Sequence, residues 1–134
     1  MFNRLEELRK KESTYIHLSL LYLGVKSRNH SSQRLEAALQ YAIDNQTIGK
    51  YPLKYMYADL ATAQGCRWYA MERSLRYAIR TLWDKQSEYC SKLLYRSCEL
   101  MPKPGIAEFL YLYAEAYHDG VIQEWVNEIM TKAG

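Results

Sequence analysis

Apolar residues recur along this chain mostly three and four positions apart, the spacing of helices that bury one face. The pattern predicts an all-α fold: a single globular domain over residues 1–134, built of about six to seven helices. Asn3 and Glu6 have the spacing of a capping box, so a short charged helix is expected over about 3–11 with Leu5 and Leu8 inward; residues 1–12 then form an accessory element. Residues 14–25 are apolar almost all round, which marks a central helix that Gly24 ends. Ser31 or Ser32 is expected to cap the next helix, which runs to about Asn45 with Leu35, Ala38, Leu39, Ala42 and Ile43 on one face. Further on, a short helix over 88–96 with Leu93 and Leu94 buried precedes the Pro/Gly stretch 101–105. An aromatic-rich helix over 106–118 follows, with Phe109, Leu110, Leu112, Tyr113 and Tyr117. After a turn at Asp119-Gly120, a last helix over 121–132 carries Val121, Ile122, Trp125 and Ile129 on one face.

Between them lies the most informative stretch. Residues 51–64 read as a helix opened by Pro52, and Gly65 stops it. The chain then turns into a second helix ending at Trp83. On a helical wheel this second helix gathers Trp68, Met71, Leu75, Ala78, Ile79 and Leu82 on one side and Tyr69, Arg73, Arg76, Tyr77 and Arg80 on the other, with Glu72 near the border. Two helices joined by a tight glycine turn make a helix-turn-helix unit, here over about 52–84, with Ala61 small at the crossing and Leu60 and Met71 buried.

Charge sharpens this picture. Between Gln64 and Trp83 there are four arginines (Arg67, Arg73, Arg76, Arg80) and one acid, Glu72, while the formal charge of the whole chain is +3. The rest of the chain therefore sums to zero, and the excess sits on one helix face, as expected of a helix that lies against phosphates. Lys54 on the preceding helix adds a candidate backbone contact, as do Arg67, Tyr69, Arg76, Tyr77 and Arg80.

Other chemistry has little support. The three cysteines (Cys66, Cys90, Cys98) lack CxxC spacing and read as free thiols; the three histidines belong to no ligand pattern, so no metal or other cofactor is expected. No catalytic dyad or glycine-rich phosphate loop is present, so the chain is not expected to be an enzyme. No run of 18 apolar residues exists and the first residues are charged, so neither a membrane span nor a secretion signal is expected. The reading is a cytoplasmic protein. Tyrosine is common, at 13 residues, and those at helical spacing (Tyr51 and Tyr55; Tyr111, Tyr113 and Tyr117) are expected to pack half-buried with their hydroxyls at the surface rather than serve as base-stacking platforms.

The order Tyr57-Ala-Asp-Leu-Ala61, then Met71-Glu-Arg-Ser-Leu-Arg-Tyr-Ala-Ile79 ending in Leu82-Trp83, and later Lys103-Pro104 and Glu108-Phe109, resembles the C-terminal effector domain of the sporulation initiation factor, a bacterial response regulator. The likeness runs from about Tyr15 to Tyr117 and is strongest over 57–83. It implies an all-helical domain that binds duplex DNA in a sequence-specific way, regulates transcription, and can sit as a dimer or tandem copies on repeated boxes. Carried over by position, Glu72 and Arg73 match residues that read base edges in the major groove, and Arg76 a basic position beside them. Where the family has a further arginine, this chain has Ala70, and no receiver domain is expected. The alternative is a degenerate member that keeps the fold and acts as an antagonist or protein-interaction module. Binding to duplex DNA distinguishes the two.

Overall fold

The computed structural model describes residues 2–25, 29–45, 53–85 and 104–133. They form α1 (Phe2–Leu23), α2 (His30–Asp44), α3 (Leu53–Gln64), α4 (Trp68–Lys85), α5 (Ile106–His118) and α6 (Val121–Ala133), with no strand among the described residues. The all-α expectation holds. None of these helices is long and apolar enough to cross a membrane. The expected helix over 88–96, Pro52, residues 101–103, Cys90 and Cys98 lie outside the described residues.

The hub is α2, which packs against α1, α3, α4 and α5, because its apolar positions Leu35, Ala38, Leu39, Ala42 and Ile43 are small or medium side chains spread over a wide face and all are buried. Its cap differs from expectation. Asn29, not Ser31 or Ser32, takes the N-cap position: its backbone is extended (ψ 172°) and its side-chain oxygen accepts from the Ser32 amide at 2.7 Å. Ser32 instead donates its hydroxyl to the Asn29 carbonyl at 3.0 Å and is buried.

The two helices expected over 3–11 and 14–25 are one. The polar residues at their junction fit inside a helix: Thr14 bonds back to the Lys10 carbonyl at 2.8 Å, and Glu12 accepts from Gln40 of α2 at 2.8 Å. Asn3 therefore lies within α1 and not at its N-cap position. The contacts Arg9 to Asp44, Glu12 to Gln40 and His17 to Glu36 run in opposite sequence directions, so α1 lies antiparallel on α2. The first turns of α1 reach past the described end of α2, and Leu8 is 52 % exposed, against the inward expectation. The second half of α1 is not the centre of the fold either: Leu21 is exposed while Ile16, Leu20 and Leu23 are buried. Gly24 ends the helix with φ +105°, its amide bonded to Leu21 O and that of Val25 to Leu20 O, a Schellman closure.

α5 and α6 cover the other side of α2 and α1. Phe109, Leu110, Tyr113 and Tyr117 are buried, and Tyr113 corrects the half-buried expectation most clearly: it is fully buried, with its hydroxyl against Ser19 Oγ at 2.5 Å. In α6, Ile122 and Val126 form the buried row and Val121 is exposed, turned about 100° around the helix from Ile122.

Candidate nucleic-acid interface

The surface that carries the candidate residues is made by α3 and α4. Gly65, at φ +65°, closes α3 with a second Schellman pattern: its amide reaches Thr62 O at 3.3 Å and that of Cys66 reaches Ala61 O at 2.9 Å. Only a glycine adopts this backbone without steric cost. Two residues later Arg67 stands immediately before the next helix, its carbonyl accepting from Ala70 and Met71 at 3.0 and 3.2 Å. The result is helix, three-residue turn, helix. Ala61 is buried, Leu60 is half-buried against the core and Met71 is fully buried.

One face of α4 is fixed by Met71, Ser74, Leu75, Ala78, Ile79 and Leu82, all buried. The opposite face then has to be Arg73 and Arg80, with Tyr69 and Arg76 on one flank and Tyr77 on the other. All five are exposed. Tyr69 stands edge-on to Trp68, with ring centroids 5.8 Å apart. Arg67 is exposed at the start of the helix, and no ion pair to Arg67, Arg73 or Arg80 exists among the described residues. Lys54 lies on α3, but its side chain falls outside the described residues.

Glu72 is placed differently from its neighbour. One residue along a helix is about 100° of rotation, so Glu72 turns from the outer face towards α3. Its Oε1 lies 2.6 Å from Arg76 Nη2. Beside this pair is the buried Tyr57 of α3; burial, and secondly the Glu72 carboxylate, push its hydroxyl up to about 12, with the Arg76 guanidinium opposing. Glu72 separates two open cavities. One, of about 470 Å³, lies between α3 and α4 and is lined by Tyr57, Ala61, Thr62, Cys66 and Trp68. The other, of about 430 Å³, is bounded by Arg76, Ile79 and the start of α5 at Gly105 and Ile106.

Trp68, expected in the core, is 56 % exposed at the mouth of the first cavity. It stands on the first turn of α4, where the core row that begins at Met71 has not started.

Sequence reasoning missed Arg34. From α2 its Nη1 reaches Ser74 Oγ at 2.7 Å and Ala70 O at 3.4 Å, adding a half-buried guanidinium to the flank of α4. Nothing in the spacing of α2 marks it, since its role depends on which helix α2 packs against. Ala70 is half-buried on that flank. Among the described residues no three His, Cys, Asp or Glu side chains group to hold a metal ion. Compared with known proteins, the chain matches no family model and no curated protein.

Proposed function

We propose that this protein binds double-stranded DNA in a sequence-specific way and regulates transcription in the bacterial cytoplasm, in association with the nucleoid. α4 is the element that enters the major groove. The observation that carries the reading is the outer face of α4: Arg73, Arg76 and Arg80 project together from a helix whose opposite face is locked into the core, and Arg73 and Arg80 have no ion-pair partner among the described residues. An acid one turn away can pair with an exposed helix arginine and stabilise the helix by about 0.2–0.5 kcal/mol. Here Glu72 is taken by Arg76, and Asp84, one turn beyond Arg80 on the same helix, forms no ion pair with it among the described residues.

The likeness to the sporulation initiation factor's effector domain supports the same roles. Arg73 reads a guanine edge, Glu72 accepts from a cytosine once released from Arg76, and Arg67, Tyr69, Tyr77, Arg80 and Lys54 meet phosphates. Arg34, beside Ala70, adds charge on the α2 flank. Paired or tandem copies on repeated boxes belong to the same reading.

The test is a gel-shift series on random and selected duplexes at rising salt. Neutralising several phosphates releases counterions, so affinity is expected to fall steeply, with a log–log slope of about −0.9 per phosphate contact. A folded protein with no measurable duplex affinity at low salt overturns the proposal and favours the interaction-module alternative.

A further inference from the structure

The cavity between α3 and α4 has a chemistry that DNA binding does not call for. Its walls are the apolar surfaces of Tyr57, Ala61, Thr62, Cys66 and Trp68, and its volume of about 470 Å³ falls in the range of small-molecule sites. Among the described residues its single charged lining residue is Glu72. Arg76, which pairs with Glu72 at 2.6 Å, lines the neighbouring cavity and not this one, so the charge this crevice presents is the carboxylate's. Trp68 adds a large aromatic surface at the mouth, left uncovered although its helical position borders the core face.

We infer that the α3–α4 crevice is a binding site for a small apolar amine, an organic cation with a one-ring or two-ring body. The body sits against Ala61, Thr62 and the Trp68 and Tyr57 rings, and the ammonium meets Glu72. Aromatic faces attract organic cations through the ring quadrupole, and a carboxylate set in an apolar wall adds charge recognition that an anion cannot use. An anionic ligand of the same shape is repelled. Binding sets the ammonium in competition with Arg76 for Glu72. The freed guanidinium then joins the exposed face of α4, and only this last consequence rests on the proposed DNA function.

Calorimetric titration of the full chain, without DNA, tests the site. The probes are phenethylamine, benzyltrimethylammonium and, as the anionic counterpart, 3-phenylpropionate. Both cations are expected to bind saturably, and the anion about tenfold or more weakly, the discrimination that a charge contact with a cation–π contribution provides. Glu72→Gln is expected to erase the preference for cations, and Thr62→Trp, which fills the crevice from the exposed side of α3, to abolish binding of all three probes. Circular dichroism of both variants shows that they are folded. Equal affinity for cation and anion, absence of saturable binding, or binding unchanged in Thr62→Trp overturns the inference. Because no nucleic acid is present, failure of the DNA reading leaves this result standing, and the reverse.

Discussion

Glu72 and Arg76, one turn apart on α4, hold each other at 2.6 Å, with the Glu72 side chain 24 % exposed and that of Arg76 64 %. The pair sits where the outer basic face of α4 meets the crevice against α3, so each partner has a second use that the pair withholds. An i,i+4 helix pair typically contributes only about 0.3–0.5 kcal/mol, and Arg76 is the exposed partner here, so a phosphate or a base edge can draw it away.

Removing the acid therefore should strengthen general binding. Glu72→Gln leaves Arg76 without its partner and should raise affinity for random duplexes while steepening the salt dependence by about one phosphate contact. Discrimination at one base pair should fall at the same time. Parallel titrations on selected and random DNA check both effects; unchanged salt dependence would show that Arg76 stays off the phosphates.

Arg73 and Arg80 lie on the same outer face but should differ in kind. Arg73→Ala is expected to cost ~1–3 kcal/mol on the preferred site and relax discrimination at one base, whereas Arg80→Ala should weaken all sequences alike. Binding selections on the two variants distinguish them. Equal losses on specific and random DNA for Arg73→Ala would make it a phosphate contact.

The core contains one polar pair whose members depend on each other. Tyr113 is fully buried and its hydroxyl meets Ser19 Oγ, which also donates to Ile16 O at 2.9 Å within α1. Ser19→Ala strands the Tyr113 hydroxyl and should cost about 1–3 kcal/mol in urea unfolding. The double variant Ser19→Ala with Tyr113→Phe should recover part of that loss, since no buried hydroxyl is then left without a partner. A double variant no more stable than Ser19→Ala alone would contradict this.

Alkaline pH should unfold the protein through its buried tyrosines. Burial raises Tyr57 from 10.0 to about 12, helped by Glu72; burial also raises Tyr117 to about 12, helped by Glu12, and Tyr113 moves in the same direction. A phenol whose folded value exceeds its unfolded value contributes stability that is fully present below the unfolded value and is lost as pH rises through the folded one. Urea midpoints should thus hold up to about pH 10 and fall towards about pH 12, with Tyr57→Phe and Tyr117→Phe each reducing the fall. A flat profile over that interval would refute the assignment.

Gly65 holds the turn that sets α4 against α3. A Cβ there meets no atom within 4 Å, so the cost of Gly65→Ala is backbone strain alone, about 1–2 kcal/mol at φ +65°. Thermal unfolding should show Gly65→Asn losing less, because asparagine enters the left-handed region more readily. Equal stability of the alanine variant would mean the turn had changed shape.

Helical spacing in the sequence was enough for much of the fold. The buried row of α2, the row from Met71 to Leu82 in α4, the Gly24 and Gly65 stops and the aromatic helix α5 are all legible there, because each rests on a period of 3.6 residues or on the backbone freedom of glycine. So is the collection of Arg73, Arg76 and Arg80 on one face, which follows once the apolar face is known. What spacing cannot give is the neighbour that covers a face. Trp68 and Val121 are on or beside apolar rows yet exposed: Trp68 stands in the first turn of α4, before the buried row begins at Met71, and Val121 is turned about 100° from the buried Ile122. Residues 12–13 read as a break, but the contact of Glu12 with Gln40 and the back-bond of Thr14 to Lys10 keep α1 continuous. Arg34 reaches Ser74 only because α2 packs on α4, and Glu72 acquires its crevice only because Gly65 folds α3 back beside it. A local pattern determines which side of a helix is apolar; the packing partners, set by the whole chain, decide which polar groups meet at its edges.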